Sequence, residues 1–409
     1  MLRAIGEKEI DVIPANMKSG KLRNLKENPP KFYCPECKEP VMLKAGTKMI
    51  PHFAHYPNTQ CSGGQGEGAY HEKGKWILYK WLESQGIECR LEVYIEKIGR
   101  RADLLAIING REIAIEFQCA RTSALEIMER MQDYKQAGME QIWILGGNRL
   151  RRKSRSTLAL NTFDQLFIHC FKRSMNEFLY YFCPQTLQLA IFQDPYFSSP
   201  SKVFGSLMFY SIESIKFPEL FSKHAVSNRE LKRFWAKEKR NFRLSSARQT
   251  FGVEAQFRQW LYLNHLHIEY LPACIGLPVK GAEQMKVPIW NWQSRFVMEL
   301  MLPMGAEGLI SLDQIQYFMR QYKIRYQSSP LHFNDIQKDP IQQYIKQLIS
   351  LGFLKEVGPS TFQLDKPIEL HGNVEQSLYE DELLMSEWLE NQQGTKQMRS
   401  MIPADSAIL

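Results

Sequence analysis

The pattern of apolar and polar positions is most informative between residues 66 and 147. GEGAYHEKGKWILYKWLESQG carries Trp76, Ile77, Tyr79, Lys80 and Leu82 on one helical face, and Gly86 stops it. RADLLAII and REIAIEFQ are Ile- and Leu-rich and strand-like, and Asn109-Gly110 between them is the strongest short hairpin signal. SALEIMERMQDYKQAG follows as a helix with Ser123 as N-cap, and Arg130 and Tyr134 share a face on it. QIWILGG then reads as a short buried strand. The predicted order is helix, strand, strand, strand, helix, strand.

On both sides the pattern changes. Upstream, VMLK and KMIPHF form two short strands around Ala45-Gly46-Thr47. Downstream, residues 162–183 place aromatic and apolar residues at helical spacing, with His169 as a packed core histidine. Residues 195–227 read as irregular, and residues 228–248 as a basic helix carrying Trp235 and Phe242. His265 and His267 have no third ligand nearby and read as structural. FVMELML, LDQIQYFMRQYKI and PIQQYIKQLISLGFL are three amphipathic segments, and FLKEVGPSTFQL is a hairpin. Three helices and a hairpin over about 296–364 resemble a winged helix, a module that binds DNA or protein.

Composition narrows the class. The 409 residues suit two to four domains with real cores. Apolar content of 44% and charged content of 23% exclude a mainly disordered chain. No run of 18 apolar residues predicts a membrane span, and MLRAIGEKEIDVIP has no signal core, so a cytoplasmic place is expected. The net charge of +8 is unevenly spread. Residues 149–155 carry five basic side chains and no acid. Residues 228–248 carry eight basic against two acidic. A single charge run is usually a solvated helix face; two of them favour nucleic acid. Arg149, Arg151 and Arg152 of the first run, and Lys232, Arg233, Lys237, Lys239 and Arg240 of the second, are the candidate DNA contacts. Residues 375–390 hold six acids and no Lys or Arg, within an acidic tail over 370–409.

Two clusters carry chemistry. Cys34-Pro-Glu-Cys37 is a C-x2-C knuckle, and His52, His55 and Cys61 follow it. Zinc takes four N or S ligands in a structural site. Along an extended strand His52 and His55 point opposite ways. Cys34, Cys37, His55 and Cys61 are the expected ligands of a structural zinc, with His52 as substitute. The second cluster lies on the hairpin. A two-residue loop sets Ile108 against Arg111 and therefore Asp103 against Glu116, with Gln118 two residues on. Opposed carboxylates repel unless one is protonated or a cation lies between them, and hard divalent cations suit that role. Glu67, His71 and Lys75 share one face of the preceding helix.

The order of elements, with Asp and Glu-x-Gln on the second and third strands, resembles the PD-(D/E)XK restriction-endonuclease-like nucleases. FYCPECKEPVMLKAGTKMIPHFAH, the E-x3-H of Glu67 and His71, RADLLA, IEFQCARTS and YKQAGMEQIWILGG together resemble the competence protein CoiA family of Gram-positive bacteria. The resemblance implies an α/β (α+β) multidomain chain. Its parts would be a zinc-binding module over 1–64, a nuclease-like domain with a mixed sheet flanked by helices over 65–160, and a mainly helical region over 161–409. It implies a protein that processes or recombines incoming DNA, single-stranded or in recombination intermediates, alongside RecA. It further implies phosphodiester hydrolysis. Glu67, Asp103 and Glu116 would hold one Mg²⁺ or Mn²⁺, Gln118 would position water, and His71 and Lys75 would contact phosphate. Gln118 stands where the nuclease pattern has Lys and can only hydrogen-bond; Lys75 or Arg101 would then supply the missing charge. The competing classes are an inactive DNA-binding adaptor assisting RecA and an RNA-processing factor.

Overall fold

The computed structural model describes residues 1–46, 49–57, 59, 61, 68–171, 176–224, 226–245, 251–305, 307–323, 331 and 339–399. Glu67 and the 246–248 end of the basic segment lie outside them.

The first body is a five-stranded sheet. Strands β1 (Ala4–Ile5) and β2 (Asp11–Val12), helix α1 (Ser19–Glu27), then β3 (Phe32–Tyr33), β4 (Pro40–Lys44) and β5 (His52–His55) are ordered β2-β1-β3-β4-β5. Its small core joins Phe32, Val41 and Phe53 to Cys34 and Cys61.

The second body is a nine-stranded sheet with both faces covered. Helix α2 (Ala69–Glu83) leads into β6 (Glu88–Ile95), β7 (Arg100–Ile108) and β8 (Arg111–Gln118), then α3 (Ala124–Gln136) and β9 (Glu140–Gly146). That is the order the sequence predicts. Asn109 and Gly110 both take positive φ, 52° and 75°, as a tight I′-type hairpin requires. The paired register runs from Ile108–Arg111 to Leu104–Ile115. β8 and β9 run parallel, so α3 crosses over one face. Leu104, Ile113, Ile115 and Phe117 pack with Leu78 and Leu82 of α2 on one face. Ala114, Met131, Tyr134 and Trp143 pack on the other.

The sheet continues where a helical region was expected. After β10 (Thr157–Ala159) come a one-turn helix α4 (Thr162–Gln165), then β11 (His169–Cys170), β12 (Glu177–Cys183), β13 (Gln188–Phe197) and β14 (Lys202–Ser211). Neither the helical spacing over 162–183 nor the irregular reading of 195–227 describes these residues. The main path of the sheet is β10-β14-β13-β12-β9-β8-β7-β6, with β11 on β12. Phe178 to Phe182 are buried on both faces, so their run is continuous rather than alternating, and it mimics other periods. The sheet therefore belongs to residues 88–211, well past residue 160.

The rest is helical around a third core. It contains α5 (Asn228–Arg243), α6 (Gly252–Leu263), α7 (Ile289–Arg295), strand β15 (Leu309–Ser311), α8 (Leu312–Met319), α9 (Pro340–Ser350), β16 (Leu354–Gly358), β17 (Thr361–Leu364) and α10 (Val374–Arg399). From α7 to β17 the order is helix, strand, helix, helix, strand, strand, with a sheet ordered β15-β17-β16. A winged helix has its elements in the same order. Among the described residues no helix is long and apolar enough to cross a membrane.

Candidate metal and phosphodiester site

The knuckle lies between β3 and β4, where Lys38 turns with positive φ and its N–H donates to the Cys34 carbonyl at 3.0 Å. β5 pairs beside β4 and presents its last residue, His55, to the knuckle. One ligand atom each of Cys34, Cys37, His55 and Cys61 lies within 4.8 Å of the others, and Cys37 Sγ is 3.4 Å from His55 Nε2. His52 turns away, with Nδ1 2.9 Å from the Ile50 carbonyl oxygen. Burial pushes the Cys34 thiol up, aided by Cys37 beside it. Burial, reinforced by Arg101, keeps the His55 imidazole neutral to lower pH. Three thiols and a neutral imidazole suit a tetrahedral, fully protein-ligated ion such as zinc, which would offset the cost of buried thiolates.

The carboxylates lie where β7 and β8 part. Asp103 Oδ2 accepts the Phe117 N–H at 2.9 Å, and His71 Nε2 lies 3.3 Å from the same oxygen. His71 reaches it because α2 packs tightly on β8 at Gly74. A Cβ there would meet the Phe117 ring at 1.9 Å. His71 also stacks on that ring. Glu116 faces α3 instead. Tyr134 donates its hydroxyl to Glu116 Oε1 at 2.5 Å, and Arg130 Nη2 lies 2.8 Å from the carboxylate. Arg130 also donates to the Arg101 carbonyl at 2.5 Å. Spacing alone places Arg130 and Tyr134 on one helix face; that this face closes on Glu116 needs the crossover geometry.

The environments push the two carboxyls apart. Burial alone would raise Asp103, but His71, Lys75 and Arg130 outweigh it and hold its carboxyl well below the usual range. Burial drives Glu116 up, Arg130 pulls it back, and Asp103 pushes it up again. Such divergence between neighbouring acids marks a site where charge is managed rather than dispersed.

Other expected site residues fall elsewhere. Gln118 donates its side-chain amide to the Ala120 carbonyl at 2.8 Å, at the open end of β8. Lys75, expected to meet phosphate, is fully buried; its Nζ is 2.5 Å from Glu92 Oε1 and 3.6 Å from Glu72 Oε1. Glu92 also accepts the Leu2 and Arg3 main-chain N–H groups at 2.8 and 3.2 Å. Glu92 therefore ties the first body to the second, and Lys75, bound to it, does not reach solvent. Arg101 faces Glu36 of the knuckle at 3.9 Å, a second tie between the two bodies.

The candidate DNA contacts divide by burial. Arg149 is buried against Asp164 at 2.5 Å and braces the Ala120 carbonyl at 3.4 Å. Lys239 is buried, donating to the Ala273 and Ile275 carbonyls and lying 3.1 Å from Asp381. Both are interior cations whose charges are already met, which corrects their place among surface contacts. Lys232 is half-buried and donates to Ser386 Oγ at 2.6 Å. Arg151, Arg152, Arg233, Lys237 and Arg240 are exposed. On α5 the exposed Arg229, Arg233, Lys237 and Arg240 make one stripe, while Trp235 is buried and donates to the Gly276 carbonyl.

A mixed sheet crossed by helices, with two carboxylates at its split and a Cys₃His cluster beside it, fits a nuclease-like domain with an attached module whose residues could hold a metal ion. Residues 14–64, 67–225 and 231–378 match the N-terminal, nuclease-like and C-terminal domains of competence protein CoiA, respectively. The competence protein CoiA of Bacillus subtilis (strain 168) is 28% identical over 357 residues, covering 85% of this chain and 93% of that protein. The chain belongs to the competence protein CoiA family. No solved structure matches it.

Proposed function

We propose that the protein hydrolyses phosphodiester bonds of DNA during the processing or recombination of incoming DNA. The observation that carries this reading is the pair Asp103 and Glu116, buried at the split of β7 and β8 with their carboxyls pushed in opposite directions. The donor set fits a hard divalent cation. Both contacts of Asp103 among the described residues fall on Oδ2, which leaves Oδ1 to bind, and Glu116 supplies a second carboxylate. Mg²⁺ or Mn²⁺ held there would polarise the phosphate and acidify the attacking water. Water adds to phosphorus, the bond to one sugar oxygen breaks, and that oxygen takes a proton. Asp103 is fixed for this by His71 and the Phe117 N–H. Gln118, at the open end of β8, orients water by hydrogen bonding. Arg151 and Arg152, and the α5 stripe of Arg233, Lys237 and Arg240, track the DNA backbone.

In this reading zinc on Cys34, Cys37, His55 and Cys61 is structural, the protein acts in the cytoplasm, and its partner is RecA. The partner rests on family membership.

One observation favours the adaptor reading: Glu116 is already satisfied by Arg130 and Tyr134. The test is incubation of the full chain with labelled single-stranded, double-stranded and branched DNA in Mg²⁺, Mn²⁺ or EDTA, beside Asp103→Asn. Metal-dependent cutting lost in the variant supports the nuclease. Binding without cutting in either metal supports the adaptor.

A further inference from the structure

Phosphodiester hydrolysis builds negative charge on the phosphate oxygens, and a site that performs it gains most from a cation fixed there. Gln118 supplies none. Three nearby basic side chains are engaged: Lys75 with Glu92, Arg101 with Glu36, and Arg149 with Asp164. Arg130 differs. Its side chain retains 27% exposure while Glu116 beneath it retains 3%. Nη2 is shared between Glu116 and the Arg101 carbonyl. Its Nε is buried and has no acceptor among the described residues. A guanidinium offers five donors in a planar fork that matches phosphate, and here part of the fork is unused.

We propose that Arg130 is the phosphate-binding cation of the site, a catalytic residue on α3 in place of the missing lysine, and that its guanidinium competes with a divalent cation for the Glu116 carboxylate. This rests on the hydrolytic reading above. Tyr134, one turn further along α3, keeps Glu116 in place when Arg130 turns from the carboxylate to a phosphate oxygen. The Trp143 ring, whose centroid lies 5.9 Å from the guanidinium carbon, gives the side chain an apolar wall along which to turn.

The two parts of the proposal make opposite demands on one variant. Removing an internal cation should tighten metal binding, and removing a phosphate ligand should slow cleavage. The full chain is compared with Arg130→Ala and Arg130→Lys. Mn²⁺ affinity is read without DNA from the electron paramagnetic resonance of free Mn²⁺. Single-turnover cleavage is read at saturating Mn²⁺, and circular dichroism checks the fold. Arg130→Ala is expected to bind Mn²⁺ about tenfold tighter and to cleave about 100-fold slower or worse. Arg130→Lys should recover part of the rate. Wild-type cleavage by Arg130→Ala overturns the catalytic role, and weaker Mn²⁺ binding overturns the internal-cation role. A wild-type chain that does not cleave fails the hydrolytic reading itself and this proposal with it. A cleaving wild type with an unaffected Arg130→Ala fails this proposal alone.

Discussion

Lys75 Nζ and Glu92 Oε1 lie 2.5 Å apart with neither side chain exposed to solvent. The pair joins α2 to β6, where Glu92 takes positive φ and turns its carboxylate to Leu2 and Arg3. Removing one partner of a buried pair leaves an uncompensated charge, at about 3–5 kcal/mol. Lys75→Met should therefore lower the thermal midpoint clearly, while DNA affinity of the folded variant stays within about twofold of wild type. An unchanged midpoint with weakened DNA binding would restore Lys75 to the phosphate.

The Cys₃His module should carry one zinc per chain, measured by mass spectrometry of the purified protein. Cys37→Ser is expected to lose most of it, and a strong chelator should loosen residues 1–61 first, seen as faster amide exchange there. Because the ligands must be deprotonated, binding weakens as pH falls. A full complement of zinc in Cys37→Ser would contradict the ligand set.

Acid should act on α10. Burial would raise Asp381, but Lys239 and Arg243 outweigh it and hold its carboxyl below the usual range. Its stabilising contribution is complete above the unfolded value of about 3.9 and fades as pH falls through the lower folded value. Asp381→Asn should cost about 3 kcal/mol at neutral pH, and chemical denaturation should show that gap closing below about pH 4. Lys239 works the other way. Burial lowers it despite Asp381, so its charge is a cost that eases as pH rises toward the ordinary lysine value. A gap independent of pH would show that Asp381 does not stabilise through its charge.

Much of the site was legible because its determinants are local. Asn109-Gly110 set the hairpin, and alternation along β5 separated His55 from His52. What was missed is non-local. Lys75 shares a face with His71, which reads as solvent-facing, yet Glu92 waits 17 residues on across the sheet. Gly74 carries no signal in a helix pattern, yet its lack of a Cβ is what admits Phe117. The strands over 177–211 were hidden because a run buried on both faces has no period to read. The nearness of Asp103 and Glu116 is legible from the hairpin, but the paired ladder ends one pair short of them, at Leu104–Ile115. The recruitment of Arg130 and Tyr134 to Glu116 depends on how the α3 crossover packs, which spacing alone does not give.

The exposed and interior cations should separate in DNA binding. Arg151→Ala with Arg152→Ala should weaken binding and reduce the salt slope by about two. Lys239→Ala should destabilise the fold while leaving that slope unchanged. Fluorescence anisotropy across a salt series reads both, and an unchanged slope in the double variant would remove the loop after β9 from the interface.

Asp103 and Glu116 are proposed to form a metal-dependent phosphodiesterase site. The most direct test is cleavage of labelled DNA by the wild-type chain and by Glu116→Ala, each folded by circular dichroism, in Mn²⁺ and in EDTA. The wild type should cut in Mn²⁺ and not in EDTA, and Glu116→Ala should lose at least about 100-fold. Equal cutting by the two proteins, or cutting that persists in EDTA, would contradict it.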